Sequence, residues 1–196
     1  MRSDPEDSST SPPRPARFTL VRNTHPPGAL LPTPSGQNDI DVDLVVNGRQ
    51  VGVSVAPRVT LADALRSLGF TGTRVGCEHG VCGTCTILLD ESPVRACLVF
   101  APQASGCRIR TVEGLSEDGA LSVLQRAFHE HGALQCGFCT PGFLMLATEI
   151  LERDPPVPAS EVRHELGANL CRCTGYGPIV AAVQSAQAAR NPGVAR

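Results

Sequence analysis

The sequence of 196 residues has no tryptophan, no lysine and a single tyrosine, so few large aromatic side chains are available to fill a core. A folded core must therefore consist mainly of Val, Leu, Ile and Ala. No apolar run approaches the roughly 18–20 residues that span a bilayer, and the N-terminus lacks the apolar segment of a secretory signal. The formal net charge is only −2, which gives no basic field for nucleic acid and no charge run for a membrane surface. These absences predict a cytoplasmic protein.

Cysteine is what the chain has in excess, with nine residues. In the cytoplasm the thiol pool keeps cysteines reduced, and an odd number also argues against a disulfide framework. Metal binding is the better explanation for so many thiols.

The chain begins with a proline-rich segment, residues 1–38, which contains eight prolines. Such a composition cannot bury enough apolar surface to offset the entropy of ordering, so we predict a disordered extension without catalytic residues. From Ile40 apolar side chains alternate, and Asn47-Gly48 supplies a type I′ turn between two strands. Thr60 is predicted to cap a short helix that stops at Gly69.

Further strands are predicted at residues 86–89, 94–98 and 108–112. A hairpin followed by a helix, a glycine-rich loop and more strands is typical of an α+β domain of the β-grasp type. We predict this domain over residues 39–112.

Past residue 113 the apolar period becomes helical. Thr140-Pro141 is predicted to begin a long helix, with Thr140 as N-cap, and Asp154-Pro155-Pro156 to end it. A shorter helix ends at Gly167, and a last helix follows Tyr176. With a helix before residue 130, these predict an all-α domain of four helices over residues 113–190, followed by a tail at 191–196.

The first cysteine group has the spacing of a plant-type 2Fe–2S site. Its members are Cys77, Cys82, Cys85 and, after eleven further residues, Cys97. Two irons that share two sulfides need four thiolates, which this group supplies. Four glycines of the loop, Gly72, Gly76, Gly80 and Gly83, are predicted to take positive φ and so to turn backbone N–H groups toward the sulfurs. Cys97 is predicted to lie on a strand.

The second cysteine group also has four members, Cys136 and Cys139, then Cys171 and Cys173 after 31 residues. Both pairs come shortly before a predicted helix. Unpaired N–H groups and the positive end of the dipole at a helix N-terminus stabilise thiolates. The group therefore predicts a second four-thiolate site, at a buried helix corner.

Zinc is the main alternative for either group, because four cysteines also make a structural zinc site. A C-x4-C-x2-C triplet and a C-x-C pair are both unusual for zinc, which favours iron–sulfur clusters. Cys107 belongs to neither group and is predicted to be a buried strand thiol without a role. His79 is interpreted as a loop histidine. No nucleophile has a base beside it in the pattern, so we predict no catalytic residue.

Residues 76–86, 135–142 and 169–176 resemble the small iron–sulfur subunit of the xanthine oxidase / aerobic carbon monoxide dehydrogenase family of molybdenum hydroxylases. The resemblance runs from about residue 40 to residue 189, and all eight cysteines match in order and spacing. One departure is the turn at Asp90-Glu91, where the family usually has Asp-Gly.

The resemblance implies a heterotrimeric enzyme in which this chain carries two 2Fe–2S clusters. A large subunit would hold molybdopterin and hydroxylate the substrate, and a medium subunit would hold FAD. Electrons would pass from molybdenum to the cluster of the helical domain, then to the plant-type cluster, then to flavin. By matching position, Gln135 would hydrogen-bond the pterin, and Cys173 would both ligate iron and touch the pterin.

Two other functions remain open from the sequence. One is a stand-alone two-cluster ferredoxin or redox sensor, and the other is a two-zinc interaction domain. A free carrier needs an exposed cluster, whereas a buried helical site would indicate a fixed partner. Burial of the second site is therefore the feature expected to separate a carrier from a subunit.

Overall fold

The computed structural model describes residues 38–116 and 119–190, which form a mixed α+β protein. Apart from residue 38, the predicted extension over 1–38 lies outside the described residues, as does the predicted tail at 191–196. In the described part of the chain, no helix is both long enough and apolar enough to cross a membrane.

Within residues 38–116 and 119–190, five strands form one sheet in the order β2-β1-β5-β3-β4. They are β1 Ile40–Val46, β2 Arg49–Val55, β3 Thr86–Leu89, β4 Ser92–Arg95 and β5 Arg108–Arg110. β1 and β5 run parallel, and every other neighbouring pair is antiparallel. The sheet thus places the N-terminal hairpin β1–β2 at one edge and the hairpin β3–β4 at the other.

The first hairpin and helix are as predicted. Asn47 and Gly48 both have positive φ, +49° and +77°, as a type I′ turn requires. Helix α1, Leu61–Ser67, buries one face against the sheet. The Thr60 hydroxyl accepts a hydrogen bond from the backbone N–H of Asp63 at 3.1 Å and so caps the helix.

The second hairpin differs from the prediction. The strand predicted at 94–98 is wrong, because β4 ends at Arg95 and a 3-10 helix, Ala96–Leu98, follows. The connecting turn has only two residues, Asp90 and Glu91, with φ of +45° and +66°. The left-handed conformation is unusual for side chains other than glycine. Here the Asp90 carboxylate accepts from the backbone N–H of Arg108 at 2.9 Å, which ties the turn to β5.

Four α-helices follow the sheet in the described part of the chain, as predicted: α2 Val123–Glu130, α3 Thr140–Glu152, α4 Val162–Leu166 and α5 Gly177–Arg190. The central helix α3 carries the fully buried Phe143, Ala147 and Ile150. Its N-cap is Cys139 rather than Thr140, one residue earlier than predicted, because the N–H of Phe143 already bonds the Cys139 carbonyl.

The buried apolar side chains of the described residues form two hydrophobic clusters. One lies between the sheet and α1, and the other lies among the four helices. Between them, α3 lies against β3 and the loop before it. A Cβ on Gly142 would be 2.3 Å from the carbonyl oxygen of Gly83, so this contact requires the absence of a side chain. At the other end of α3, the Glu152 carboxylate forms an ion pair with Arg110 of β5 at 2.7 Å.

We expect Gly142→Ala to lower the free energy of unfolding by about 1–3 kcal/mol, because the new methyl group would collide with backbone that cannot rotate away. Gly177→Ala is the matched control, since Gly177 has no atom within 4 Å of a built Cβ. The control should be neutral or slightly stabilising, because alanine favours the helix. Urea unfolding of both variants measures the difference, and equal midpoints would contradict the close contact.

Candidate metal centres

The first four cysteines come together in two pairs. Cys77 and Cys82 are neighbours, with the backbone N–H of Cys82 3.4 Å from the Cys77 sulfur and the two thiols in hydrogen-bonding reach. The thiols of Cys85 and Cys97 also interact with each other. The loop before β3 supplies Cys77 and Cys82, and Cys85 immediately precedes that strand. Cys97 lies in the 3-10 helix after β4, so the β3–β4 hairpin returns it to Cys85.

The second four cysteines are paired in the same way. The Cys136 and Cys173 sulfurs are 3.5 Å apart, and the thiols of Cys139 and Cys171 also interact. Each pair joins one cysteine from the start of α3 with one from the segment before α5. The structure therefore unites the two halves of this group, which are 31 residues apart in the sequence.

Within residues 38–116 and 119–190, no three His, Cys, Asp or Glu side chains converge closely enough to hold a single metal ion. Two pairs of thiols are what a two-iron cluster needs, because each iron binds two cysteines and the sulfides bridge the irons. The donor sets of both sites fit such a cluster.

Backbone N–H groups are directed at the sulfurs of the first site. The Cys77 sulfur accepts from the N–H groups of His79 and Cys82, each at 3.4 Å. Positive φ at Glu78, Gly80 and Gly83 makes this loop possible. For Gly72 and Gly76 the prediction of positive φ is wrong.

These two glycines serve the loop in another way, because neighbouring side chains occupy the place of a Cβ. Such a Cβ would be 2.3 Å from Val112 at Gly72 and 3.2 Å from the Cys82 sulfur at Gly76. Space for a side chain, and not the backbone conformation, is therefore what is limited at both positions, more severely at Gly72 than at Gly76.

At the second site a threonine hydrogen-bonds to a cysteine sulfur. The Cys171 sulfur lies 3.1 Å from the Thr174 hydroxyl and accepts from the Thr174 N–H at 3.4 Å. The Thr174 hydroxyl in turn accepts from the N–H of Tyr176 at 3.2 Å, which leaves its own hydrogen free for the sulfur. The sequence did not indicate this role for Thr174, although its position next to Cys173 was the available signal.

The surroundings lower the pKa of some of the cysteine thiols and raise that of others. Hydrogen bonds from the N–H groups of Cys82 and His79 lower the pKa of Cys77 to about 6. Burial raises the pKa of Cys85 to about 11 and that of Cys139 to about 12. Burial alone would raise the pKa of Cys171, but the hydrogen bonds from Thr174 and other groups outweigh burial and lower this pKa. Iron binding requires every thiolate, so the positive charge of the metal must offset the burial of Cys85 and Cys139.

The prediction of a buried second site is wrong, because none of its four cysteines is fully buried. Cys136 and Cys173 are exposed, and Cys139 and Cys171 are half-buried. Gln135, which precedes Cys136, is exposed as well. The site therefore has an inner pair against the helical core and an outer pair that opens to the surface beside Gln135.

The two sites are directly connected, which the sequence analysis did not predict. The N–H of Leu170, next to Cys171, donates to the carbonyl of Cys82 at 2.9 Å. The side chain of Asn169 occupies the place where a Cβ of Gly83 would lie, 2.0 Å from the Asn169 oxygen. Asn169 is buried, and its amide nitrogen has no protein acceptor among the described residues.

Cys107 lies apart from both sites. It is half-buried and directly precedes β5, so the prediction of a buried strand thiol is wrong in both respects. Burial and the neighbouring Asp90 carboxylate raise the pKa of its thiol.

Comparison with known proteins agrees with this geometry. Residues 44–136 match the family described as "2Fe-2S iron-sulfur cluster binding domain", and residues 111–184 match "[2Fe-2S] binding domain". The first match contains the four cysteines of the first group and ends at Cys136, which belongs to the second group. The second match contains all four cysteines of the second group.

Known proteins with similar sequences are subunits of oxidoreductases. The chain is 57% identical to the nicotine 6-hydroxylase small subunit of Paenarthrobacter nicotinovorans, over 80% of this chain and 94% of that subunit. It is 42% identical to the xanthine dehydrogenase iron-sulfur-binding subunit of Escherichia coli O157:H7, over 72% and 90% respectively. Among solved structures, quinoline 2-oxidoreductase from Pseudomonas putida 86 superposes with a TM-score of 0.75. That structure is 48% identical to this chain in sequence, and the match covers 98% of its chain and 80% of this chain.

We expect Thr174→Val to lower the reduction potential of the second cluster, because it removes a hydrogen bond that stabilises the more negative, reduced form. Thr84→Val is the matched variant at the first site, where the Thr84 hydroxyl lies 3.3 Å from the Cys82 sulfur. The Thr84 hydroxyl also donates to the carbonyl of Arg74, so its effect should be smaller. Redox titration followed by electron paramagnetic resonance separates the two clusters. A Thr174→Val shift confined to the first cluster would contradict the assignment.

Proposed function

This chain belongs to the small iron–sulfur subunits of the molybdenum hydroxylases related to xanthine dehydrogenase, and we propose that it relays electrons from a molybdopterin centre to FAD in a heterotrimer. Its role is electron transfer within a multi-subunit oxidoreductase. The observation that carries the proposal is the two-and-two pairing of eight cysteines in two 2Fe–2S binding domains. We place the assembly in the cytoplasm, where nine thiols stay reduced.

The proposed domains are a plant-type ferredoxin-like β-grasp over residues 39–112 and a four-helix 2Fe–2S-binding domain over 113–190. The five-stranded sheet packed on α1 supports the first, and the helical hydrophobic cluster supports the second. Val112 supports the boundary, because its side chain packs against the helical cluster.

The proposed ligands of the first cluster are Cys77, Cys82, Cys85 and Cys97, and those of the second are Cys136, Cys139, Cys171 and Cys173. One iron of the first site would be held by Cys77 and Cys82 and the other by Cys85 and Cys97. At the second site, the pairs would be Cys136 with Cys173 and Cys139 with Cys171. When bound, a 2Fe–2S cluster supplies reversible one-electron chemistry. The chain contributes the thiolates and the N–H donors that set the potential.

The ligand assignment predicts four irons per chain, two in each of two domains. Cys97→Ala should lose the spectrum of the first cluster and keep that of the second, because the two sites share no ligand. Cys107→Ala is the matched control and should retain both clusters, since Cys107 lies outside both groups. Iron analysis with visible absorption and paramagnetic resonance measures this result. Stoichiometric zinc, or loss of a cluster in Cys107→Ala, would overturn the assignment.

The surface around Gln135 supports the direction of electron flow that we propose. The outer pair of the second site, Cys136 and Cys173, is exposed together with Gln135. An exposed amide beside two exposed ligands suits contact with a polar cofactor held by a partner. We propose that Gln135 and Cys173 meet the pterin of a large subunit, and that the first cluster delivers electrons to the FAD of a medium subunit.

The exposed outer pair alone would also suit a stand-alone carrier, so burial does not separate the two hypotheses. Family membership favours the subunit, because the relatives are named as subunits of a nicotine 6-hydroxylase and of a xanthine dehydrogenase. The rival predicts that the isolated chain exchanges electrons with many acceptors at similar rates. The subunit hypothesis predicts rapid reduction only within the assembled complex.

Gln135→Ala should leave both clusters formed but slow their reduction by substrate in the assembled complex. A buried pterin group that loses its hydrogen-bond partner is destabilised by about 1–3 kcal/mol. Reduction by dithionite, which bypasses molybdenum, should not change. Gln50→Ala is the matched control, because Gln50 is an exposed glutamine on β2, far along the sequence from the second site. A substrate-driven rate in Gln135→Ala equal to that of wild type would contradict contact with the pterin.

A further inference from the structure

One arginine outside the ligand set bonds to both cysteine regions. The guanidinium of Arg95, at the end of β4, donates to the carbonyl of Gly80 at 3.4 Å and to the hydroxyl of Thr86. Its remaining nitrogen donates to the carbonyl of Ala168 at 2.6 Å. Gly80 lies between Cys77 and Cys82, and Ala168 lies three residues before Cys171. A single side chain thus joins the loop of the first site to the segment of the second.

The geometry of arginine explains why this residue type is used. A guanidinium is planar and presents five donors in a fixed fork, so three acceptors around it are held in one relative arrangement. A lysine ammonium at the same place is a point charge on a flexible stem and would not fix the plane.

The contact lies beside the other links between the two sites. The hydrogen bond from Leu170 to the Cys82 carbonyl is two residues along the chain from Ala168. The same Thr86 hydroxyl donates to the carbonyl of Gly83 at 2.6 Å and lies 3.4 Å from the side-chain oxygen of Asn169, which is between Ala168 and Leu170. Arg95 therefore restrains a segment whose position determines how close Cys171 comes to Cys82.

The charge of Arg95 is a separate property. In the part of the chain that the structure describes, no carboxylate pairs with its guanidinium. An unneutralised positive charge near two thiolate-rich sites favours their more negative, reduced forms, whatever the orientation of the group.

We infer that Arg95 is a positioning residue for electron transfer between the two clusters: its guanidinium fixes the separation and orientation of the two cysteine regions. The inference rests on the proposed function, since it takes both sites to hold clusters. It goes beyond the proposed ligand set, because among the described residues the Arg95 guanidinium hydrogen-bonds to Gly80, Thr86 and Ala168 and not to a cysteine sulfur.

The test compares Arg95→Met and Arg95→Lys in the full chain with both clusters loaded. The first readout is the magnetic splitting between the two reduced clusters, which depends steeply on their separation. The second is the midpoint potential of each cluster. The third is hydrogen exchange of the Leu170 amide, which needs no cluster signal.

In Arg95→Met we expect four irons per chain, a broadened or lost splitting, lowered potentials and faster exchange at Leu170. Arg95→Lys should restore the potentials, because the charge returns, but not the splitting or the protection of Leu170. The matched control is Arg66→Met, since Arg66 also bonds two carbonyls, those of Thr71 and Thr73, but within the first domain alone. The control should keep the wild-type splitting and exchange.

Wild-type splitting and Leu170 exchange in Arg95→Met would overturn the inference. Full recovery of both by Arg95→Lys would also overturn it, because charge alone would then suffice. If Arg95→Met does not fold, Arg95→Lys still shows whether the planar guanidinium or only its positive charge is needed. The magnetic splitting and the hydrogen exchange of Leu170 are again the two measurements. Failure of the proposed function is distinguishable, since it shows as a missing cluster in the wild-type chain.

Discussion

The close backbone contact between Gly83 and Gly142 is the constraint on which the arrangement of the two sites depends. Gly83 lies between Cys82 and Cys85, and Gly142 lies in the first turn of the helix that Cys139 caps. With no side chain on Gly142, the helix start approaches the first cysteine loop until backbone meets backbone. With none on Gly83, the side chain of Asn169 lies against the same loop, and the neighbouring Leu170 N–H reaches the carbonyl of Cys82. The two hydrophobic clusters thereby hold the two cysteine groups against each other.

Local patterns in the sequence predicted much of this structure because each depends on few neighbouring residues. The Asn47-Gly48 turn, the Thr60 cap and the four helices follow from short-range propensity. The cysteine groups were predictable because spacing reflects the cluster that they surround. The comparisons confirm the family and the two 2Fe–2S domains, whereas the individual ligands remain predictions.

What the sequence did not predict depends on contacts between distant segments. The exposure of Cys136 follows from how α3 and the segment before α5 meet, which no local pattern contains. Positive φ was predicted for Gly72 and Gly76, but the structure limits the space for a side chain at each. The limiting neighbour is far along the chain for Gly72 and across the loop for Gly76. Arg95 lies two residues before Cys97, and the sequence does not distinguish it from any other strand arginine, because only the fold brings Ala168 to it. In each case tertiary packing, and not propensity, decides the role.

The hydrogen bond between Leu170 and Cys82 limits how far this protein can be divided. If residues 39–112 were excised as a free ferredoxin, the Cys82 carbonyl would lose its donor and Arg95 would lose its Ala168 acceptor. The carbonyl of Gly83 and the surface of β3 that α3 covers would meet water instead. Residues 39–112 are therefore not an interchangeable module, and recombination between relatives should conserve them together with the helical part as one inherited unit.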